Sequence, residues 1–408
     1  MLLDFLYFLH YTTNKYEMQG IFWMNGNGCA AIICEYNPFH RGHMHQISEA
    51  KKHFSTVVCV MSGDCVQRGD CAVAGKYLRA RAAVESGADL VVELPAPWSA
   101  SSASDFARAG VRIALALEPD ALCFSAESDP ELLLSVAALA GDPSFVSSVG
   151  RLASHRDSKL SFPAAFSGSV GNALGGEAAE AMKKPNNILA VEYLKNLAGT
   201  SVAPFILRRD PSFSPSSEIR ALAGEEFLNA LPDASRAVFA SALGEDLPRS
   251  LSRLDPAFAV LLRSGADFSD VYSMTPDLAS KLVSAARELV SFEEICRACV
   301  DKKYTLARVR RALLCALLGV KKSDAASDPL FTTVLAAGKA GCDRLASLRK
   351  SEKDVRILTK PVASRLTGAA RAQFELSKRI SDIHALTAPA PQSAARAMTP
   401  YIRPGGTL

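Results

Sequence analysis

The chain has 408 residues, 49% of them apolar, and a formal net charge of +4. That length supports one large domain with a smaller companion. So small a net charge excludes a uniformly basic surface, so any nucleic-acid role must rest on local clustering. The ten cysteines are scattered, and Cys34, Cys59, Cys123 and Cys315 sit inside apolar runs. This excludes a secreted disulfide framework and fits a reducing compartment. Cys296 and Cys299 form a lone C-x-x-C with no second pair and no His at ligand spacing. It reads as two helix positions, one facing the core, and not as a metal site.

Residues 1–28 read as a disordered extension or an upstream start choice. Met1 to Tyr11 is apolar but carries Asp4 and no basic start, and Met24 lies shortly before the first strand. The run is too short to span a membrane and lacks a signal peptide's positive head. A cytoplasmic protein is expected, with no membrane association and no segment that marks a stable protein partner.

Short apolar runs then alternate with helical patterns. Strands are expected at 29–35, 55–61, 88–94, 121–125 and 202–207, and helices at 43–54, 76–86 and 103–117. The strands are continuously apolar, as strands covered on both faces should be. The β-α-β-α succession predicts a Rossmann-like, doubly wound parallel sheet. Residues 131–197 read as a mostly helical insertion, with a Gly/Ser-rich loop at 168–176. Beyond Arg220 the pattern is helical, at 277–289, 292–300 and 305–318, and only 355–358 resembles a strand. A boundary near residue 222 would separate a catalytic domain, 29–222, from a mostly helical C-terminal domain, 223–408.

The chemistry gathers after the first strand, in Glu35-Tyr36-Asn37-Pro38-Phe39-His40-Arg41-Gly42-His43. Ligands of open α/β sheets bind outside the carboxyl ends of the strands. A helix amino terminus there offers N–H groups to phosphate, and Gly42 lets the backbone approach a nucleotide. His40 and His43 are spaced to face one phosphate group. As hydrogen-bond donors they would stabilise charge building during attack at an α-phosphorus, at about 3 kcal/mol each. Neither needs to act as a base. This H-x-G-H pattern resembles that of the HxGH nucleotidyltransferase superfamily. Ser62, Gly63 and Lys76 follow the second strand and are candidates for phosphate or second-substrate contacts, with Gln67-Arg68-Gly69 between them. After the fifth strand, Ser216 or Ser217 is placed to cap a helix, with Arg220 one turn later aimed at phosphate.

Several of these motifs together resemble the tRNA(Met) cytidine acetate ligase family. They are Cys34 through His43; Val60-Met61-Ser62-Gly63-Asp64 with Gln67-Arg68-Gly69; and Ala88 through Pro95. Lys184-Pro185-Asn186-Asn187-Ile188-Leu189, Ser217-Glu218-Ile219-Arg220 and Ser381-Asp382-Ile383-His384-Ala385-Leu386 continue the series. The match runs from about residue 29 to 387. It implies a two-step reaction: ATP and acetate form acetyl-adenylate, and the acetyl group passes to N4 of the wobble cytidine of elongator tRNA(Met). Mg2+ is expected to accompany ATP, with no protein ligand cluster for it in view. Carried over, the family's ATP contacts fall on Ile33, Cys34, Glu35, Tyr36, Asn37, Pro38, Phe39, His40, Arg41, Gly42, His43, Met44, His45 and Gln46. They also fall on Ser125, Asn186, Asn187 and an arginine at Arg208 or Arg209. Two positions depart from the pattern: Ser125 stands where the family usually has Gly, and Gly75 where it has Ser.

Residues 302–322 hold seven basic side chains and no acidic one. Lys302, Lys303, Arg308 and Arg311 are candidate tRNA contacts, with Arg308 and Arg311 on one helix face. Arg310, Lys321 and Lys322 complete the seven, and Arg344, Arg349 and Lys350 are possible additions. Tyr36, Phe39 and Tyr77 are candidates to stack on the target base. A small-molecule nucleotidyltransferase and a non-catalytic RNA-binding protein are the competing readings.

Overall fold

A computed structural model describes residues 28–154, 161–348, 354–390 and 399–406. The N-terminal extension expected at 1–28 lies outside the described residues apart from Gly28, as do Arg349 and Lys350. In chain order the elements are β1 (Cys29–Cys34), α1 (Arg41–Lys51), β2 (Thr56–Ser62), β3 (Cys65–Val66), β4 (Asp70–Cys71), α2 (Lys76–Glu85), β5 (Leu90–Leu94), α3 (Ala103–Ala116) and β6 (Ala121–Ala126). Five helices follow: α4 (Pro130–Gly141), α5 (Pro143–Ser154), α6 (Phe162–Leu174), α7 (Gly176–Ala181) and α8 (Pro185–Leu197). After β7 (Ala203–Arg208) come α9 (Ser216–Ala221), α10 (Gly224–Asn229), α11 (Asp233–Ala240), α12 (Asp255–Arg263), α13 (Pro276–Ala285), α14 (Phe292–Ala298), α15 (Leu306–Leu318) and α16 (Lys322–Ala326). The chain ends with β8 (Phe331–Ala337), α17 (Lys339–Leu348), β9 (Arg356–Leu358), α18 (Gly368–Ala385) and β10 (Tyr401–Ile402).

The main sheet runs β10-β8-β5-β2-β1-β6-β7, with β9 also paired to β8. From β5 to β7 every pairing is parallel. All six residues of β1 and all five of β5 are buried, as their unbroken apolar character requires. The doubly wound architecture expected from the sequence is present. Strand order reverses at β1, whose neighbours β2 and β6 lead to opposite edges. That is the switch point where such sheets bind ligands.

Three sequence expectations need correction. The segment 168–176 is not a loop: α6 runs through it to Leu174, capped at its start by Ser161. Gly171 is there for packing, since a Cβ would lie 2.9 Å from the Ala179 methyl group. A strand was missed at 331–337, because two threonines interrupt an apolar run between helices. β8 lies antiparallel to β5, and Thr332 satisfies its buried hydroxyl by donating to the Glu93 carbonyl at 2.6 Å. Finally, the boundary near residue 222 does not separate sheet from helices, for β8 and β10 return to the main sheet. The apolar core of α12–α15 likewise takes in Cys65, Cys71, Ala96 and Ala100 from the first half of the chain. Cys296 and Cys299 are both buried free thiols in that core.

Candidate active site

β1 delivers the chain at the switch point, and the next residues turn sharply. Tyr36 has φ +44, an uncommon backbone for a bulky residue. Its ring is fully buried, and its hydroxyl lies 3.3 Å from the Cys59 sulfur. Tyr36 and Phe39 pack edge to face at 4.8 Å, and Tyr36 backs the His43 ring at 4.9 Å. Both aromatics are therefore walls of the histidine site, not platforms for a base. Asn37 accepts the Val73 N–H at 2.7 Å through Oδ1.

His40 is the N-cap of α1. Its Nδ1 accepts the Gly42 N–H at 3.1 Å, and His43 Nδ1 accepts the His40 N–H at 3.3 Å. A nitrogen that accepts from a backbone N–H carries no proton itself. Both neutral rings are thus protonated at Nε2. His40 Nε2 donates to Ser216 Oγ at 2.9 Å, and among the described residues His43 Nε2–H meets no acceptor. Burial, then the charges of Arg209 and Arg220, lower the His40 pKa to about 4. Burial and the neighbouring His40 hold His43 well below the usual histidine range. The rings, 3.8 Å apart between centroids, are therefore a pair of neutral donors at neutral pH.

Across the crevice, the loop after β6 is organised by the first turn of α8. Asn187 Oδ1 accepts the N–H groups of Glu127 at 2.8 Å and Ser128 at 3.2 Å. Its Nδ2 donates to Ser128 Oγ and the Ala181 carbonyl. Asn186 donates to Glu127 Oε1 at 2.7 Å, and Arg209 reaches the same oxygen at 3.1 Å. Ser125 lies in β6 opposite Leu207, and Arg208 is exposed at the end of β7. Of the two candidate arginines, Arg209 is the one turned toward the site. Arg220 Nη1 donates to the Asn37 carbonyl at 2.6 Å, tying α9 to the histidine loop.

The H-R-G-H turn thus sits at the switch point of a doubly wound sheet, with two arginines converging on it. The sequence profile described as HIGH Nucleotidyl Transferase matches residues 28–398. The chain belongs to the HIGH nucleotidyl transferase family. A tRNA(Met) cytidine acetate ligase of Thermoanaerobacter sp. (strain X514) is 28% identical over 384 residues, covering 88% of this chain and 95% of the relative. The Bacillus subtilis (strain 168) protein of that name is 29% identical over 388 residues, covering 87% and 91%. A crystal structure of Thermotoga maritima TmcAL bound with alpha-thio ATP superposes with a TM-score of 0.84 at 23% identity. It covers 92% of this chain and 99% of that one.

Several candidate residues of this HIGH nucleotidyl transferase have other work than phosphate binding. Lys76 is buried in an ion-pair cluster, with Nζ 2.7 Å from Glu93 Oε1, 3.1 Å from Asp64 Oδ2 and 2.9 Å from Ser381 Oγ. Burial opposes its charge, yet the Asp64 and Glu93 carboxylates outweigh burial and raise its pKa. Ser62 is fully buried, and the Gly63 N–H is spent on the Leu94 carbonyl at 3.0 Å. Ser217 is exposed and caps nothing, because Pro215 holds the N-cap position of α9. Its neighbour Ser216 is the serine that meets His40. The Ser381–His384 motif locks α18 onto this cluster. Ser381 donates to Asp64, and His384 Nδ1 lies 3.3 Å from Asp64 Oδ1.

Arg41 is exposed and donates to the Asn229 carbonyl, Met44 is exposed, and the His45 ring lies tilted against Phe213 at 5.2 Å. Gln46 hydrogen-bonds the buried Cys123 thiol, while the Ile33 side chain fills the space beside Gly110. Tyr77 packs at the edge of the sheet's apolar core.

Arg79 escaped sequence reasoning. It is fully buried, and every bond it makes goes to a backbone carbonyl: Ala74 at 3.0 Å, Glu35 at 2.6 Å, Ser62 at 3.0 Å, and Gly63. One guanidinium thereby joins the ends of β1 and β2. Nothing in a helix reading Arg-Ala-Arg-Ala-Ala marks it, because its partners come from distant loops. Among the described residues, no three His, Cys, Asp or Glu side chains gather as a metal site.

Proposed function

We propose that this chain activates acetate with ATP and transfers the acetyl group to N4 of the wobble cytidine of elongator tRNA(Met). In the first step an acetate oxygen attacks the α-phosphorus of ATP, the bond to the β-phosphate oxygen breaks, and pyrophosphate leaves. In the second, the cytidine amine attacks the acetyl carbonyl carbon, AMP leaves, and the amine loses a proton to solvent. The observation that carries this reading is the pair of neutral Nε2–H donors flanked by Arg209 and Arg220. Fixed donors aimed at a phosphorus centre suit a reaction that needs positioning and charge stabilisation more than proton transfer. Ser216 Oγ occupies an acceptor position at His40 that a phosphate oxygen can take over. Mg2+ would arrive with ATP, held by the phosphates and water. The names of the curated relatives supply the acceptor.

Lys302, Lys303 and Arg308, at the start of α15, are the proposed tRNA contacts, together with the cytoplasmic location that a tRNA substrate implies. Lys303 and Arg308 both lie over the Tyr304 ring, at 5.3 and 5.2 Å. Arg311 is left out of this proposed surface. It donates to the Gln67 carbonyl at 3.1 Å instead. Arg310 is engaged with Glu293.

Mass analysis of tRNA(Met) nucleosides after incubation with ATP and labelled acetate tests the reading. Label in N4-acetylcytidine is the expected result. Turnover that needs no acetate but a phosphorylated metabolite would refute it in favour of a small-molecule nucleotidyltransferase.

A further inference from the structure

β3 and β4 form a hairpin that turns through Gln67, Arg68 and Gly69, between the histidine loop and α15. Both of its flanks are anchored. On the active-site side, the Gln67 N–H donates to Glu35 Oε1 at 2.9 Å. On the other side, Arg311 donates to the Gln67 carbonyl. Gly69, at φ +76, lies flush on α15, where a Cβ would stand 2.8 Å from the Arg310 carbonyl carbon. The Gly69 N–H closes the turn on the Val66 carbonyl at 3.0 Å. A tip held in this way has little conformational freedom left to lose on binding.

Its central residue is nevertheless unused. Arg68 is exposed, and among the described residues it makes no hydrogen bond or ion pair. Two further guanidiniums stand around it, Arg220 from α9 and Arg310 from α15. Burial first, offset by Glu35 and Asp70, and then the charges of Arg68 and Arg310 bear on the lowered Arg220 pKa. Glu35 and Asp70 are the carboxylates that face this group. Asp70 is already tied to the Cys71 N–H, and Glu293 is shared between Arg297 and Arg310. An exposed, unpaired guanidinium on an anchored turn is free to pair with an incoming anion.

We propose that Arg68 binds a phosphodiester of the RNA acceptor beside the nucleotide that enters the histidine site. This rests on the tRNA-ligase reading above. The position suits it: the hairpin bridges α15, which begins beside Lys302 and Lys303, to Glu35, which leads into His40. The guanidinium fork matches two phosphate oxygens at once. ATP's triphosphate is the other source of the same chemistry, and His40, His43, Arg209 and Arg220 already serve it.

Arg68→Ala and Arg68→Lys, in the full chain, separate the sources. One assay is acetate-dependent ATP–pyrophosphate exchange without RNA. The other is acetyl transfer to transcribed elongator tRNA(Met) over a range of KCl. Arg68→Ala is expected to raise the KM for tRNA about tenfold. It should also reduce the slope of log KM against log salt by roughly 0.7, the value for one phosphate contact on a single strand. Arg68→Lys keeps the salt slope, because the charge remains, but recovers the affinity only in part, and the ATP KM stays within about twofold of wild type. A raised ATP KM with an unchanged tRNA KM assigns Arg68 to the triphosphate and overturns the proposal. No change in either also overturns it, leaving a solvated side chain. A wild-type protein that acetylates no tRNA brings down the functional reading itself, whereas an active wild type with an indifferent Arg68→Ala brings down only this inference.

Discussion

His43 offers a test in which two substitutions each remove half of one side chain's work. Its Nδ1 accepts the His40 N–H at 3.3 Å, and among the described residues its Nε2–H meets no acceptor. In His43→Gln the amide nitrogen comes close to the place of Nε2, so the donor survives and the Nδ1 acceptor is lost. In His43→Asn the amide reaches only the Nδ1 position, so the capping bond survives and the donor is lost. Losing one transition-state donor costs about 3 kcal/mol, or a factor of roughly 10²–10³ in kcat. Losing the capping bond costs about 1 kcal/mol of stability. In acetate-dependent ATP–pyrophosphate exchange, His43→Asn is therefore expected to fall by two to three orders of magnitude at a near-normal melting temperature. His43→Gln should stay within about tenfold of wild type but melt earlier. The opposite ranking, with Asn active and Gln dead, would refute the donor role and make His43 a structural cap.

Four further outcomes are expected. The His40 pKa, lowered to about 4, means the folded protein resists a proton that the unfolded chain accepts near 6.5. This stability is fully present above pH 6.5 and is lost as pH falls toward 4; denaturant midpoints for wild type and His40→Gln should converge across that window, and parallel curves would contradict it. Exchange activity should show no ionisation near pH 6.5, because the histidines work neutral. Lys76→Met strands Asp64 and Glu93 without their cation and should cost about 3–5 kcal/mol. At a temperature where the variant stays folded its ATP KM should be unchanged, and a large rise would restore Lys76 to the phosphate site. Gly69→Ala adds a Cβ to a left-handed residue pressed against α15, and should lower the melting temperature by the equivalent of about 2–3 kcal/mol; an unchanged melt would mean the hairpin is not seated as described.

Much of this site was legible because its signals are local. Strands β1, β2, β5, β6 and β7 announce themselves as continuous apolar runs, and H-R-G-H follows the first of them directly. What sequence could not place were side chains whose partners lie far along the chain. Lys76 after Gly75 looks like a phosphate ligand until Ser381, more than 300 residues later, is brought beside it. Arg79 and Arg311 look like surface arginines on amphipathic helices. Each is turned inward by a backbone carbonyl from another element. Ser216 and Ser217 are equivalent in sequence, and only the position of His40 chooses between them. Composition misled in both directions: glycines at 168–176 suggested a loop where Gly171 serves close helix contact, and threonines hid β8 although the Thr332 hydroxyl is paired in the core.

The return of β8 to β5, with α18 locking onto Asp64, also sets an order of events during synthesis. A growing chain that has released everything through α9 has all five parallel strands and both histidines outside the ribosome. Its β5 edge is still unpaired, and Asp64 and Lys76 still lack Ser381 and His384. Early strands wait on late ones, so folding of the sheet is governed by contacts of long sequence separation. The strands that carry both histidines are consequently completed by the segments made last, although they are encoded first.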